Sequence, residues 1–267
     1  MTKINLDKYY TSVALADYCI NKTYEIIGKE NITEIIEPSA GNGSFSLQIP
    51  DCIAYDIKPE HESIIKQDYL KLELEYKKGR LIIGNPPFGK GNYLSVQFFK
   101  NAIKQAQFIA FILPISQLNN NMYFYEYDLI HSEDLNKQDY SNLPIHCCLN
   151  IYKKPIHEWV YNKKPIFELN DISLKGVAKG KSRNDKIPSR YNLSISGFGA
   201  SVGKFCDYEY QYCQQIYVTI NNLKLKDKII DLLAIADWKS LYNMTATPKL
   251  KHWMIIKHLK EQIPEIK

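Results

Sequence analysis

The sequence predicts an α/β fold in which a mostly parallel β-sheet is covered by helices on both faces. Two observations support this prediction. In the first part of the chain, short apolar runs of strand length alternate with segments whose apolar residues recur at helical spacing. Turns that contain glycine, serine or proline separate these segments. Such alternation is typical of parallel sheets, because each parallel pair of strands needs a crossover connection, which is usually a helix.

The predicted elements of the first part follow one another in a regular order. An amphipathic helix over residues 12–27 comes first, with Val13, Ala16 and Ile20 among its apolar positions. The elements that follow are a second helix at residues 93–105 and strands at residues 32–37, 52–57, 63–70, 80–84, 108–113, 126–130 and 145–152.

The second part of the chain has a different character. Residues 155–222 are rich in proline, lysine and tyrosine and contain no clear helical pattern. Residues 207–212 alternate with period two, which predicts a half-buried strand. Residues 224–233 and 249–259 have apolar spacing that predicts helices.

The composition is that of a globular protein that can bury a sizeable core. The chain has 267 residues, of which 45% are hydrophobic and 24% are charged. Its apolar stretches are too short to span a bilayer, and its first residues lack the apolar core of a secretory signal. We therefore expect a cytoplasmic protein with no membrane partner.

Cysteine and histidine are placed in a way that does not indicate a metal site. The six cysteines form no CxxC pair, and the six histidines are dispersed. This spacing fits neither a zinc site nor an ordinary disulfide framework. We predict reduced thiols and no structural metal.

Charge is distributed unevenly along the chain. Residues 151–267 carry 20 Lys and Arg against 11 Asp and Glu, whereas residues 1–150 are slightly acidic. A basic part favours a polyanionic partner, although a basic surface kept for solubility is the alternative. We predict two domains, residues 1–154 and a small basic α+β region at residues 155–267.

Four of the predicted strands end in residues suited to ligand binding. The first is followed by EPSAGNGSF, the second by Asp56, the third by Asp68 and the fourth by NPPF. Ligands of open α/β sheets bind beyond the carboxyl ends of the strands, and glycines allow a backbone to approach them closely. The chain therefore predicts a site that combines these four strand ends.

Taken in order, EPSAGNGSF, YDIKP, QDYL and IIGNPPFG resemble the motifs of S-adenosylmethionine-dependent amino-methyltransferases. The likeness is greatest to the N6-adenine methyltransferases of restriction-modification systems. DKYYTSVALADYC resembles the family's upstream motif, with Ser12 in place of the usual proline. The resemblance covers roughly residues 7–153. It implies a Rossmann-like, seven-stranded methyltransferase sheet, a catalytic domain at residues 1–154 and target recognition by residues 155–267.

The NPPF motif suits the chemistry that the resemblance implies. An adenine amine is a weak nucleophile because its lone pair is conjugated with the ring. The side-chain oxygen of Asn85 and the carbonyl of Pro86 can accept its two N–H groups and so aim the lone pair at a methyl carbon. Proline fixes φ and has no N–H, which keeps that carbonyl rigid and free of competing donors. Phe88 is predicted to stack on the base, which must first leave the duplex.

The resemblance also assigns individual residues. The implied catalytic residues are Asn85, Pro86, Pro87 and Phe88. The implied S-adenosylmethionine-binding residues are Tyr10, Thr11, Glu37, Pro38, Ala40, Gly41, Gly43, Asp56, Ile57, Asp68, Tyr69 and Asn85.

A basic stretch in the second part is the predicted nucleic-acid contact. It carries cations for phosphates and rings for stacking. Its candidate DNA-contacting residues are Lys179, Lys181, Arg183, Lys186 and Arg190. A solvated surface loop is the alternative for this stretch. For the whole protein, the predicted partner is DNA, with a second copy or a restriction subunit as a possible further partner. Action on RNA and a non-catalytic module that binds cofactor or DNA remain alternatives.

Overall fold

The computed structural model describes residues 10–119, 122–140, 143–156, 161–165, 167–180, 183–244 and 248–267. The predicted DNA contact Lys181 lies outside these residues. The chain divides into two compact units, Met1–Pro165 and Ile166–Lys267. Within the described residues, no helix has the length and apolar character needed to cross a membrane.

The first unit is built on a seven-stranded sheet. Its strands are β1 (Glu34–Glu37), β2 (Ile53–Asp56), β3 (Ile65–Lys66), β4 (Lys77–Gly84), β5 (Ala106–Pro114), β6 (Asp128–Tyr140) and β7 (Leu143–Lys153). They lie in the order β3-β2-β1-β4-β5-β7-β6. Strand β7 is antiparallel to both of its neighbours, and the other pairs are parallel. The predicted seven-stranded, mostly parallel, Rossmann-like sheet is confirmed.

Two helices cover opposite faces of this sheet, as the sequence predicts. Helix α1 (Val13–Ile27) begins where the Ser12 side chain accepts the N–H of Leu15 at 3.2 Å, and it packs on the face that contains Leu81 and Ile83. Helix α2 (Tyr93–Gln105) packs on the other face, which contains Ile82. Successive residues of β4 point to opposite faces, so one strand contributes to both cores.

The strand order places a switch point between β1 and β4. After β1 the chain moves outward through β2 and β3, and it then returns to the other side of β1 as β4. The loops that follow β1 and β4 therefore leave adjacent strands in opposite directions. A crevice between such loops is the usual ligand position in this class of sheet.

The two edges of the sheet are irregular or short. Strand β3 at one edge has two residues. Strand β6 at the other edge changes register against β7 twice, between Leu129 and His131 and between Asp134 and Lys137.

The second unit contains both β-strands and α-helices, and it buries apolar residues of its own. A four-stranded sheet has the order β10-β11-β8-β9, with every pair antiparallel. Its strands are β8 (Ile172–Gly180), β9 (Arg183–Asn184), β10 (Leu193–Ser196) and β11 (Gln214–Ile220). The helices are α3 (Lys226–Ile235), α4 (Trp238–Leu241) and α5 (His252–Gln262).

The predicted strand at residues 207–212 is wrong. These residues form turns and bends, and Tyr210 has a left-handed φ of 55° that an extended strand does not allow. The strand begins at Gln214 instead, where Ile216, Val218 and Ile220 are buried. The tyrosines of residues 207–212 alternate with polar residues, which gives the period of a strand. The sheet instead buries the alternating apolar residues of β11, which follows this segment.

Candidate active site

A cavity of about 220 Å³ lies in the first unit at the carboxyl ends of β1, β2 and β4. Every residue that the sequence predicts as catalytic or cofactor-binding lines this cavity, except Gly43. Two loops at the switch point border the cavity, one after β1 and one after β4. We call residues 38–45, after β1, the glycine loop, and residues 85–89, after β4, the amide loop.

The glycine loop is fixed by the carboxylate of Asp56. Its two oxygens accept the backbone N–H groups of Gly41, at 2.8 Å, and Lys58, at 2.7 Å. The carbonyl of Gly41 in turn accepts the N–H of Glu60 at 2.9 Å. Gly41 has a φ of 55°, a conformation that glycine adopts without steric cost. Each oxygen of Asp56 retains a further lone pair that can accept a ligand hydroxyl.

Glu37 places a buried carboxyl group at the end of β1. Its side chain is 2% exposed, and one of its oxygens accepts the N–H of Ser46 at 2.8 Å. Burial, with a smaller contribution from the nearby charge of Asp56, raises the pKa of Glu37 to about 7 even though hydrogen bonds from Ser46 oppose the rise. The group therefore changes charge near neutral pH, inside the cavity.

The amide loop is held at both of its ends. The Asn85 amide donates to Oγ1 of Thr11 at 3.2 Å, and the Ser39 hydroxyl lies 3.4 Å from the Asn85 carbonyl oxygen. The first turn of α2 holds the other end, because Ser95 Oγ donates to the Pro87 carbonyl at 3.2 Å. Asn85 is half-buried and faces the cavity, so its amide can meet a bound molecule.

The N-terminal segment lies against the glycine loop at two points. The Tyr10 hydroxyl donates to Glu60 at 2.5 Å, and the Tyr10 ring lies close to Gly41. The Ser44 hydroxyl lies 2.7 Å from the carbonyl oxygen of Thr11. These contacts bring Tyr10 and Thr11 to the same cavity as the strand ends, which sequence spacing alone could not determine.

Aromatic and apolar side chains form much of the cavity wall. Tyr69 is buried and stacks on Phe98, with ring centroids 5.5 Å apart, and burial raises the pKa of its hydroxyl. Phe88 lines the cavity while it packs against the core under α1. Ile57 is 44% exposed and lines the cavity, so it offers apolar surface there.

Asp68 caps a short turn and also lines the cavity. One of its oxygens accepts the N–H of Leu70 at 3.1 Å, and the other lies 3.4 Å from the Lys71 ammonium group. The carboxylate thus has a local role in the turn, and its side chain remains 36% exposed.

Sequence reasoning missed several residues of the cavity wall. They lie beside predicted residues in the chain or on the facing side of α2, and the helical spacing of Phe98 indicated a core position only. The missed residues are Ser39, Asn42, Ser44, Phe45, Lys58, Gln67, Leu70, Leu94 and Phe98.

The predicted nucleic-acid contacts lie in the second unit. Lys179, Lys186 and Arg190 are exposed, and Arg183 belongs to β9. Within the ranges that the structure describes, no group of three or more His, Cys, Asp or Glu residues is arranged to hold a metal ion.

Several solved structures of methyltransferases share features of the fold. A protein proposed to be an RNA methyltransferase from Pyrococcus horikoshii has a TM-score of 0.46 and 14% identity, over 58% of this chain and 91% of that one. A protein proposed as a class I S-adenosylmethionine-dependent methyltransferase from Listeria monocytogenes has a TM-score of 0.43 and 13% identity, over 62% and 65%. A type I restriction-modification methyltransferase subunit from Streptococcus thermophilus has a TM-score of 0.39 and 14% identity, over 66% and 50%.

Comparisons of sequence give no match. No protein-family model matches the chain, and no curated protein matches it.

Proposed function

We propose that the protein transfers a methyl group from S-adenosylmethionine to the N6 amino group of adenine in DNA. One observation carries this proposal: Asn85 and Pro86 line the same cavity as the carboxylates of Asp56 and Asp68, at the switch point of the sheet. A carboxylate suited to ribose and an acceptor pair suited to an amine thus meet in one place.

The side chains of the cavity fit this cofactor. When bound, S-adenosylmethionine supplies an electrophilic methyl group on a sulfonium. The free lone pairs of Asp56 suit the two ribose hydroxyls, and the exposed side chain of Ile57 suits one face of a purine ring. Asp68 offers an acceptor for the purine amino group. Glu37 and the glycine loop would hold the remaining, charged end of the cofactor, with Gly43 contributing to the turn of the loop instead of to the cavity wall.

The amide loop would orient the nucleophile. The Asn85 side-chain oxygen and the Pro86 carbonyl accept the two N–H groups of the adenine amine, which directs its lone pair along the path of transfer. Methyl transfer would form the nitrogen–carbon bond as the carbon–sulfur bond of the cofactor breaks, and the amine would then release one proton to solvent. Phe88 would stack on the extruded base, whose removal from a duplex costs about a few kcal/mol. Positioning and electrostatics account for the catalysis.

The second unit is the target-recognition part in this proposal. Lys179, Lys186 and Arg190 would contact phosphates, which positions the nucleic acid without reading its sequence. Cytoplasmic location and a second copy or restriction subunit as partner also belong to the proposal.

The proposal is tested by transfer of labelled methyl groups from S-adenosylmethionine to unmethylated DNA, to RNA and to protein. We expect label on the N6 of adenine in DNA. Asn85→Ala should lower kcat by about 100-fold or more, the usual effect of removing one preorganised polar group from a transition state. Lys90→Ala, an exposed change beside the amide loop, is the matched control.

Two outcomes would contradict parts of the proposal. Label on RNA alone would exclude DNA as the substrate. If the wild-type protein binds S-adenosylmethionine but labels none of the three substrates, it is a binding module. That result would exclude a catalytic role for Asn85.

A further inference from the structure

The turn that replaces the predicted strand in the second unit packs against the basic hairpin of β8 and β9. We call residues 207–213 the tyrosine loop. The Tyr210 hydroxyl donates to the carbonyl of Asp185 at 2.9 Å, and the Lys179 ammonium group lies 5.1 Å from the centre of the Tyr210 ring. The backbone N–H of Lys179 donates to the carbonyl of Cys213 at 3.0 Å. The loop and the hairpin therefore form one continuous structure.

The other end of the tyrosine loop meets Tyr191. The Tyr191 hydroxyl donates to Glu209 at 3.3 Å, and its ring contacts Tyr217 edge to face, with centroids 4.8 Å apart. Tyr191 directly follows Arg190 in the chain. The contacts of Tyr210 and Tyr191 thus bring Lys179 and the backbone beside Arg190 to the same loop.

Exposed rings and exposed cations both occur on this surface. Tyr208 lies in the loop next to Glu209 and is 66% exposed, and Tyr191 is 38% exposed. Lys179, Lys186 and Arg190 are also exposed.

The local charge is positive. Residues 175–212 carry seven Lys and Arg against three Asp and Glu. Two of the three acids accept hydrogen bonds from the protein itself, Asp185 from the N–H of Ala178 and Glu209 from Tyr191. A polyanion would therefore meet a segment with an excess of basic residues, in which two of the three acids are directed to internal donors.

We propose that this surface, formed by Lys179, Lys186, Arg190, Tyr191, Tyr208 and Tyr210, binds single-stranded nucleic acid. Lys179, Lys186 and Arg190 contact phosphates, and Tyr208 stacks on an unpaired base. Stacking needs a base whose face is accessible, which a duplex does not offer. A lipid headgroup or another polyanion would use the cations but not the exposed ring. The surface lies within the second unit and concerns binding, so this inference can fail while the proposed methyl transfer stands.

The test measures binding of the full chain, without cofactor, to a fluorescent single-stranded DNA, to RNA of the same sequence and to the DNA duplex. Tyr208→Ala should weaken single-strand binding about 5-fold to 150-fold, since stacking contributes about 1–3 kcal/mol per base. It should leave the salt dependence unchanged. Tyr208→Phe, which keeps the ring, should bind as the wild type does.

The lysine variants test the electrostatic half of the surface. Lys186→Ala should reduce the slope of log affinity against log salt by about 0.7, the value for one single-strand phosphate contact. Lys260→Ala, an exposed lysine on α5, should leave that slope unchanged.

The affinity of Tyr208→Ala for single strands and for the duplex decides the proposal. Loss of affinity by Tyr208→Ala for single strands, of either sugar, with little effect on the duplex supports the proposal, and the tighter of the two strands identifies the source. Equal binding by wild type and Tyr208→Ala, or equal losses for duplex and single strand, would overturn it.

Discussion

At the scale of single residues, the carboxyl group of Glu37 changes its charge near neutral pH. It is buried at the end of β1 and accepts the N–H of Ser46, and burial raises its pKa to about 7. Because the folded state holds the proton more tightly than the unfolded chain does, the group stabilises the fold fully below its unfolded pKa. That stabilisation is lost as the pH rises through about 7.

Glu37→Gln removes this dependence, because an amide of the same shape stays neutral. We expect the variant to gain stability over the wild type as the pH rises from 5 to 8, by about 2 to 3 kcal/mol. Urea unfolding at both pH values measures the difference, with Glu62→Gln, an exposed glutamate, as the matched control. A difference between variant and wild type that does not change with pH would show that the Glu37 carboxyl is not perturbed by its burial.

At the scale of elements, a turn in the second unit depends on a glycine beside a buried indole. Gly203 has a φ of 86°, and a methyl group at this position would overlap Cδ1 of Trp238, which is 2% exposed. Gly199 lies in the same turn with a φ of 73° and has open space around the equivalent position. Both glycines have a positive φ, but only at Gly203 would a Cβ atom meet another side chain.

Substitution by alanine separates these two requirements. Gly199→Ala should cost about 1–2 kcal/mol, the penalty for a side chain in the left-handed conformation. Gly203→Ala should cost about 1–3 kcal/mol more, because overpacking a buried side chain is added to that penalty. The free energies of unfolding in urea measure both, and equal losses would mean that Trp238 moves aside without cost.

The sequence predicted those elements whose apolar pattern matches their burial. Helix α2 and strand β5 are apolar at the positions they bury, so their pattern was sufficient. Strand β6 was predicted at residues 126–130, but it extends over Asp128–Tyr140. It lies at the edge of the sheet, where charged residues are tolerated, and these charges interrupt the apolar pattern by which a strand is predicted. Strand β8 was missed for a similar reason, since Lys175 and Lys179 interrupt its pattern.

The sequence predicted the motif residues of the candidate site, but it did not predict several other residues that line the cavity. Glycines, carboxylates and the NPPF motif carry their chemistry in the residue type, and parallel strands bring their carboxyl ends together. Phe98 and Leu94 reach the cavity only because α2 follows the amide loop directly. Contacts of this kind depend on tertiary packing, which a local pattern does not contain.

At the scale of the whole molecule, the cavity and the basic surface belong to different units. The cavity is lined by residues of the first unit alone, whereas the basic hairpin and the tyrosine loop belong to the second. Binding of a small ligand in the cavity should therefore stabilise the first unit directly.

Hydrogen exchange with S-adenosylmethionine tests this division. A ligand present at about 100 times its dissociation constant adds about 2.7 kcal/mol to the stability of the state that binds it. We expect slower exchange of the amides of β1 and β4, and little change in β8 and β11. Unchanged exchange in β1 and β4 at saturating ligand would place the ligand elsewhere.

The two borders of the seven-stranded sheet have a consequence for the behaviour of concentrated solutions. A long, flat border of unpaired backbone groups is a template on which other molecules can assemble into aggregates. Here one border is the two-residue β3, and the other is β6, with its two register changes and the charged side chains of Glu133 and Asp134. Neither offers such a template, so we expect that this sheet does not grow by the addition of strands from other copies of the chain.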